Sequence, residues 1–403
     1  MPRLDELPPE LVLYISSFLT RETTIADECL PPECRIVQLE LVPDLPSINV
    51  LSRTSTLLRH TLNQTLYDLC ASVEPLGQLA ILFAVEHELE STVEKLVAVG
   101  ISLNTTFIIQ RFGPCTLLCL AAAMGLPTMV VKLLDLYGEE AITKVQERCP
   151  RRRALDYAIR CRHMDVVRVL APIPASSSGV RVSDDTQTEY LSHALLESAS
   201  AGNIETSQYL VTEGAHIDFL HDVFYGVTSL FLAAGKGNLE LVQFLLTSGA
   251  DPNIIGAAKT PIIFNATSVD ILQALVTAGA NIHAVDGRPL NILAVAKNAE
   301  ILHFCLERGV DPNVASQTGE TALHRACWMI PSEAKVYVEL LLQFGATTVE
   351  NVDGYGSTPV DIAMSRGRMC LEVVNALEPH VRNPELRAKI EDWREVKMHL
   401  SLT

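Results

Sequence analysis

The stretch TSLFLAAGKGNLELVQFLLTSGAD, residues 228–251, decides the fold of this protein. Its first half predicts a short helix in which Ala233 and Ala234 leave room for a neighbouring element to pack closely. Gly237 and Asn238 tolerate positive φ and turn the chain back, and Gly249 ends a second helix. The apolar face of the second helix consists of Leu241, Val242, Leu245 and Leu246. Neither helix buries its apolar face alone, so the pair requires neighbours of the same kind.

Such neighbours are present because the chain repeats this pattern. Related stretches begin near residues 79, 116, 153, 193, 228, 260, 288, 321 and 358. The period, in the low to middle thirties, is typical of a solenoid in which each repeat packs on the next. The composition, 48% hydrophobic but only 5% aromatic, also favours closely packed helices over sheets. We therefore predict an all-α fold.

Three stretches carry a resemblance to a known repeat family. GETALHRA at 319–326, GNLELVQFLLTSGADPN at 237–253 and YGSTPVDIA at 355–363 resemble the ankyrin repeat, with its T-P-L-H-x-A start and G-A-D/N turn. The resemblance implies a solenoid of about nine ankyrin repeats over residues 71–377, with extended fingers such as the one that begins at Asp251. It also implies that His324 hydrogen-bonds within its turn and orders the finger.

Several copies depart from the pattern. The copy from Thr260 is about two residues short between its helices, and the copy from Thr321 carries an insertion around WMIPSE, residues 328–333. Arg162 stands where a glycine is expected. The Pro-, Ser- and Gly-rich stretch 171–189 predicts an exposed loop, either an inert insertion or a contact site.

The first seventy residues do not follow the repeat. LPPELVLYISSFL, residues 7–19, predicts a helix after two prolines, and INVLSRTSTLLRHTLNQTLYD, residues 48–68, predicts further helices. The apolar residues of the first helix that share one face are Leu7, Leu11, Ile15, Phe18 and Leu19. A helical domain this small is marginal unless a partner completes its core.

These two stretches resemble the F-box, in the form that precedes ankyrin arrays in many filamentous-fungal proteins. The resemblance implies an F-box-like domain over residues 1–70 that docks on the Skp-type adaptor of a cullin-RING ubiquitin ligase. Matched position by position, the docking residues are Leu7, Pro8, Glu10, Leu11, Ile15, Leu19, Ile48, Leu51, Leu57 and Leu58. An insertion at about 21–44 departs from the family pattern. The alternative is that the segment only caps the first repeat as an irregular helical unit.

The C-terminal residues 378–403 predict a capping helix for the solenoid. Asn383 is suited to cap this helix and Pro384 to its first position. The apolar side chains that share one face are Leu386, Ile390, Trp393 and Leu400. A terminal unit needs one such face and a polar outer side. The alternative is that Trp393 binds a partner.

The charge balance excludes two classes of partner. Acidic residues outnumber basic ones, 48 against 31, for a net charge of −17. Nucleic acids and anionic membranes require clustered positive charge, so we expect neither to be bound. The N-terminus lacks a signal-like basic region, and no apolar run is long enough to span a membrane. We expect an intracellular protein of the cytoplasm or nucleus that is a monomer outside its complex.

No motif in the chain indicates catalysis, so we predict that the protein is not an enzyme and uses no cofactor or metal. The close cysteine pairs, Cys29 with Cys34 and Cys115 with Cys119, lack a convincing zinc-ligand spacing. His324 and Cys327 are three residues apart, as a base and a thiol nucleophile could be. The ankyrin pattern already accounts for His324, which favours a structural role.

Two functions follow. In the first, the F-box engages the ligase while the ankyrin repeats hold an unknown target protein, which raises its local concentration at the ligase. The repeat register points to four partner-binding residues on the concave face and finger tips, namely Tyr225, Arg325, Trp328 and Tyr355. The alternative is an ankyrin scaffold without a ligase that mediates protein–protein interaction, for instance in a fungal metabolite pathway.

Overall fold

The computed structural model describes residues 20–26, 37–43, 74–109, 113–148, 152–172, 184–220, 226–256 and 259–399. The chain divides into two compact units, Met1–Gln187 and Thr188–Thr403, and the boundary falls near the start of one helix. The expected adaptor-docking residues between Leu7 and Leu58 lie outside the described residues, as do Tyr225, Leu400, Cys29 and Cys34.

The first unit contains four strands and seven helices in its described residues. They are β1 (Thr20–Ala26), β2 (Val37–Pro43), α1 (Glu74–Glu86), α2 (Glu90–Ala98), β3 (Thr106–Ile109), β4 (Gly113–Thr116), α3 (Leu117–Met124), α4 (Pro127–Tyr137), α5 (Ala141–Gln146), α6 (Ala154–Cys161) and α7 (Met164–Leu170). The pairs α1–α2, α3–α4 and α6–α7 each pack as two consecutive helices, and α3 also packs on α6.

The described residues of the second unit contain six further copies, four with two consecutive helices and two with a 3₁₀ turn before a single helix. Its helices are α8 (Asp184–Ala201), which begins just before the boundary, α9 (Ile204–Thr212), α10 (Ser229–Lys236), α11 (Leu239–Thr247), α12 (Val269–Thr277), α13 (Ala299–Glu307), α14 (Ala322–Trp328), α15 (Pro331–Gln343), α16 (Pro359–Ser365), α17 (Leu371–Leu377) and α18 (Pro384–His399). The 3₁₀ turns Ile262–Asn265 and Ile292–Ala294 replace the first helix in two copies. One continuous hydrophobic core runs through this unit, with Leu230 near one end and Ile390 at the other.

The expectation of an all-α fold is wrong at two places. Strands β1 and β2 form an antiparallel pair whose register pairs Thr20 with Pro43, and all of these residues except Thr20 lie in the expected insertion at about 21–44. Strands β3 and β4 form a second antiparallel pair in the finger before α3. The sequences TRETTIA and VQLELVP are rich in β-branched residues, and VQLELVP also alternates apolar and polar residues, which favours strands over helices. The described residues are nevertheless mostly helical.

Five predicted repeat starts coincide with helix N-caps, whereas the starts near 79 and 193 lie inside α1 and α8. Thr116, Thr228 and Thr358 each accept a hydrogen bond from the backbone N–H three residues on, which satisfies a donor that the first helical turn leaves free. At the turn between α10 and α11, Gly237 has φ of +77° and the side chain of Asn238 caps α11. Gly237 and Gly249 therefore have the positive φ that the sequence suggests, whereas Asn238 has φ of −89° and acts as an N-cap instead.

Two copies that depart from the repeat pattern differ in helix length: one has a shorter first helix and the other a longer second helix. The shortened copy from Thr260 retains only the 3₁₀ turn Ile262–Asn265 in place of a first helix. The insertion in the copy from Thr321 lengthens the second helix, because α15 has 13 residues where α11 has 9. The extra turn begins at Pro331, a residue suited to the first helical position.

The expected exposed loop at 171–189 is wrong at both of its ends. Helix α8 already begins at Asp184, where Asp184 and Asp185 supply the acidic first turn that the helix dipole favours. At the other end Ala171 is fully buried, and its carbonyl accepts a hydrogen bond from Gln187 Nε2 at 2.8 Å. The residues between these ends, 173–183, lie outside the described part.

Asparagine side chains in the turns between paired helices join neighbouring copies in the second unit. Nδ2 of Asn238 donates to the carbonyl of Gly202, and Nδ2 of Asn265 donates to the carbonyl of Phe231 at 2.8 Å. The oxygen of the Asn238 side chain meanwhile accepts from the N–H of Leu241. One side chain therefore both caps its own helix and fixes the spacing to the preceding copy.

The C-terminal helix α18 covers the end of the second unit. Ile390 is fully buried, Leu386 is buried, and Trp393 Nε1 donates to the carbonyl of Met364 at 3.0 Å. Lys389 forms an ion pair with Asp361. Because Trp393 is half-buried and hydrogen-bonded within the unit, its contacts support the packing role over the partner-binding alternative.

Candidate protein-binding surface

The fingers are the extended segments between successive copies of the second unit, such as residues 281–291 and 351–357. Side-chain-to-backbone hydrogen bonds order them. The carboxylate of Asp353 accepts from the N–H groups of Tyr355 and Ser357 at 2.9 and 3.0 Å. Asp286 forms the equivalent turn two fingers earlier, and hydrogen bonds from Arg288 and Leu290 lower its pKa although burial alone would raise it. Asp and Asn side chains are suited to such turns. The finger tips are therefore held in defined conformations.

Neighbouring fingers are also linked to each other. Asn313 donates to the carbonyl of Gly345 and accepts from the N–H of Thr347 at 2.7 Å. Gly319 has φ of +76°, and a Cβ atom added there would lie 2.4 Å from the carbonyl oxygen of Val352. Only glycine fits both its conformation and this approach. The fingers therefore form one connected edge along the second unit.

His324 connects its helix to the next finger, as the resemblance implied. Its imidazole is fully buried and its Nδ1 accepts from the hydroxyl and N–H of Thr321 at 2.8 and 3.2 Å. Nε2 then donates to the carbonyls of Asn351 and Ser357 at 3.1 and 3.2 Å. Burial lowers the pKa of His324, so the ring is neutral with its proton on Nε2. The ring orders the finger that carries Tyr355.

Exposed apolar side chains mark the finger edge. Tyr355 is 95% exposed, and Ile255, Val285 and Val352 in the finger segments are also exposed. Large apolar groups on ordered, solvent-facing turns contribute nothing to the core, and such groups mark binding sites when they recur along one edge. Of these four residues only Tyr355 was predicted from the sequence, because the exposure of the other three depends on how the neighbouring fingers cover them.

The other predicted partner-binding residues lie elsewhere. Arg325 is half-buried on α14 and pairs with Glu320 at 2.8 Å, which holds the base of the finger. Trp328 is exposed at the last position of α14, about 10 Å along the helix from Thr321 at the finger base. The structure therefore separates Trp328 from the fingers and brings it to the turn between paired helices.

The buried histidine and cysteine do not form a nucleophilic pair. Both nitrogens of His324 are used by Thr321 and the next finger, and burial raises the pKa of the Cys327 thiol far above its usual range. Among the described residues, no cluster of three His, Cys, Asp or Glu side chains is placed to hold a metal ion. No helix in the same part of the chain combines the length and apolar character needed to cross a membrane.

Stacked helix pairs with ordered fingers and an apolar finger edge define a repeat protein that binds other proteins. The family model for ankyrin repeats matches residues 175–256, 195–286 and 290–386, which together span just over half of the chain. The chain therefore belongs to the ankyrin-repeat family. Ankyrin repeats form protein–protein interaction domains, and the proteins that contain them are typically not enzymes.

Several solved structures contain chains that are similar to this one, among them the following three. An ankyrin repeat domain from Acinetobacter baumannii is 24% identical, with a TM-score of 0.40, and the match covers 47% of this chain and 97% of that one. A chain from the complex of a Bdellovibrio bacteriovorus predatory endopeptidase with its immunity protein is 24% identical, with a TM-score of 0.40, and coverages of 46% and 96%. The human ASB11 ankyrin repeat domain is 20% identical, with a TM-score of 0.44, and coverages of 57% and 96%. No curated protein sequence matches the chain.

Proposed function

We propose that the protein is a non-catalytic recruiting adaptor whose second unit holds a target protein on its finger edge. The observation that carries this proposal is the row of exposed apolar side chains, Ile255, Val285, Val352 and Tyr355, on turns locked by hydrogen bonds. Preorganised turns lose little conformational freedom on binding, which favours affinity. An aromatic side chain such as Tyr355 is also the residue type that most often dominates the energy of an interface.

Photo-crosslinking in cells tests the finger edge directly. A benzoylphenylalanine at Tyr355 is expected to form protein adducts, because that position is nearly fully exposed on an ordered finger. The matched control places the same group at Gln243, an exposed position on the outer helix α11. Adducts at both positions in equal amount, or at neither, would contradict binding on the fingers.

The more specific part of the proposal is that residues 1–70 dock on the Skp-type adaptor of a cullin-RING ubiquitin ligase. It rests on the resemblance of residues 7–19 and 48–68 to the F-box, with an array of about nine ankyrin repeats following over 71–377. In this arrangement the chain carries out no chemistry. It brings target lysines close to the ligase, and the gain comes from effective concentration.

Purified Skp-type adaptor provides the test of this part. Leu11→Asp combined with Ile15→Asp is expected to abolish adaptor binding because two carboxylates are placed on the apolar helix face. The melting transition of the ankyrin array should not change. Two results would support the alternative function, a plain ankyrin scaffold that residues 1–70 only cap. The adaptor would never bind, or the double substitution would destabilise the array.

A further inference from the structure

The second unit presents an apolar patch at the edge opposite its fingers. Trp328 is 58% exposed, Ile330 62% and Met369 76%. Trp328 is the last residue of α14, Ile330 lies in the turn between α14 and α15, and Met369 lies in the turn between α16 and α17. We name these three residues the turn patch. They are large apolar groups on consecutive copies, which is the arrangement expected of a contact surface.

The two turns that carry the patch are joined. The guanidinium of Arg366 donates to the carbonyl oxygen of Trp328. The 3₁₀ turn Arg368–Cys370 packs against α15, and Lys335 of α15 pairs with Glu372 of α17 at 2.7 Å. The turn patch is therefore one surface on a rigid support.

The corresponding turns of the other copies in the second unit are polar. Between α10 and α11 the chain reads Lys236, Gly237 and Asn238, and before α13 it reads Lys297 and Asn298. These residues already complete the helix caps and the bonds to the preceding copy. The insertion at 328–333 therefore adds apolar surface that neither the caps nor the core requires, and folding stability does not account for it.

The charges beside the turn patch determine which partner fits. Arg366 and Arg368 adjoin it on the side of α16, and Lys335 and Glu372 neutralise each other. Glu333 in the first turn of α15 is the opposing carboxylate. The balance is positive on a chain whose net charge is −17, so this edge attracts a partner of the opposite sign.

We propose that the turn patch binds a short acidic segment of another protein, with an apolar anchor that packs between Trp328 and Met369. Carboxylates next to the anchor pair with the guanidinium groups of Arg366 and Arg368, for which charge-assisted hydrogen bonds are well suited. The surface lies at the opposite ends of the helices from the finger edge. The protein therefore holds two partners, or two parts of one partner, at the same time.

Selection from a phage-displayed library of random dodecapeptides on the full chain tests this proposal. Peptides that bind the wild type but not the Trp328→Ser, Met369→Ser variant are expected to carry net negative charge and at least one large apolar residue. Loss of these anchors should weaken a selected peptide about tenfold or more. Arg368→Glu should weaken the same peptide, while Tyr355→Ser should leave its affinity unchanged.

The results that would contradict the acidic-partner proposal can be distinguished from one another. A patch-dependent pool that is basic or uncharged overturns the acidic-partner proposal, and so does a selection without any patch-dependent peptide. Sedimentation equilibrium of the full chain tests whether the turn patch instead mediates self-association. A dimer that dissociates on Trp328→Ser, Met369→Ser substitution would show that a second copy occupies the turn patch. Circular dichroism melts establish that the variants remain folded, as expected because all four substituted side chains are exposed.

Discussion

Substitution of His324 by alanine should loosen the finger at 351–357 far more than it affects the rest of the unit. The imidazole offers two polar atoms, so its four contacts count as two hydrogen bonds, one shared at each nitrogen. Each is worth about 1 kcal/mol, and the space left by a fully buried ring adds roughly another 1–2 kcal/mol. The expected local destabilisation is therefore about 3 kcal/mol, or roughly a hundredfold in an opening equilibrium.

Native-state hydrogen exchange measures this effect at the right place, because a repeat array need not unfold in one step. Amide protection should fall around Thr321 and in the finger that ends at Ser357. In that finger the carbonyls of Asn351 and Ser357 lose the hydrogen bond from His324 Nε2. His283→Ala is the matched control, since that ring is exposed in an earlier finger. Equal protection in the two variants, or a uniform loss across both units, would refute the assigned role.

Four further outcomes follow from single contacts. Because the folded pKa of His324 lies below its usual value of 6.5, the unfolded chain binds more protons below that pH. Stability should therefore fall from pH 7 toward pH 5 in urea titrations, and the fall should be smaller in His324→Gln. Arg162 is held at φ of +62°, so Arg162→Gly should be more stable in thermal melts than Arg162→Ala by up to about 1 kcal/mol. Asn238→Ala removes a helix cap and a bond to the preceding copy and should cost about 1–2 kcal/mol in chemical denaturation. Ile390→Ala opens the core under α18 and should cost about 2–4 kcal/mol, with early exchange confined to the C-terminal copies.

The repeat architecture was predictable because its signals are local and recur. A threonine N-cap and a glycine or asparagine turn set the two ends of each short helix, and Thr228 and Gly237 do so in the structure as their types require. The same reasoning identified Arg162 as an unusual residue, and it does adopt the left-handed conformation that glycine normally fills.

The errors arise outside the repeat pattern, where the sequence was interpreted only as an insertion or as a loop. The β1–β2 pair was missed because the residues between Leu19 and Ile48 were treated only as an insertion, without attention to the alternation in Val37–Pro43. The loop expectation at 171–189 counted Pro, Ser and Gly and overlooked the acidic first turn at Asp184.

The binding surface was only partly predictable. The register placed Tyr355 on a finger, and its exposure agrees with that position. The position of Trp328 in its repeat also led to its prediction among the residues of the concave face and finger tips. That prediction was wrong because the sequence does not show at which end of a helix a residue meets solvent. The missed residues Ile255 and Val352 are apolar, and whether an apolar side chain is covered depends on the neighbouring finger, which no single repeat specifies.

The most direct test of the account compares the proteins that co-purify with three forms of the chain, identified by mass spectrometry. The forms are the intact chain, the Leu11→Asp, Ile15→Asp variant and a variant with Ile255, Val352 and Tyr355 replaced by serine. The account predicts two separable losses, the Skp-type adaptor and cullin from the second form and a different set of target proteins from the third. Identical protein sets from all three forms would contradict both the docking segment and the finger edge.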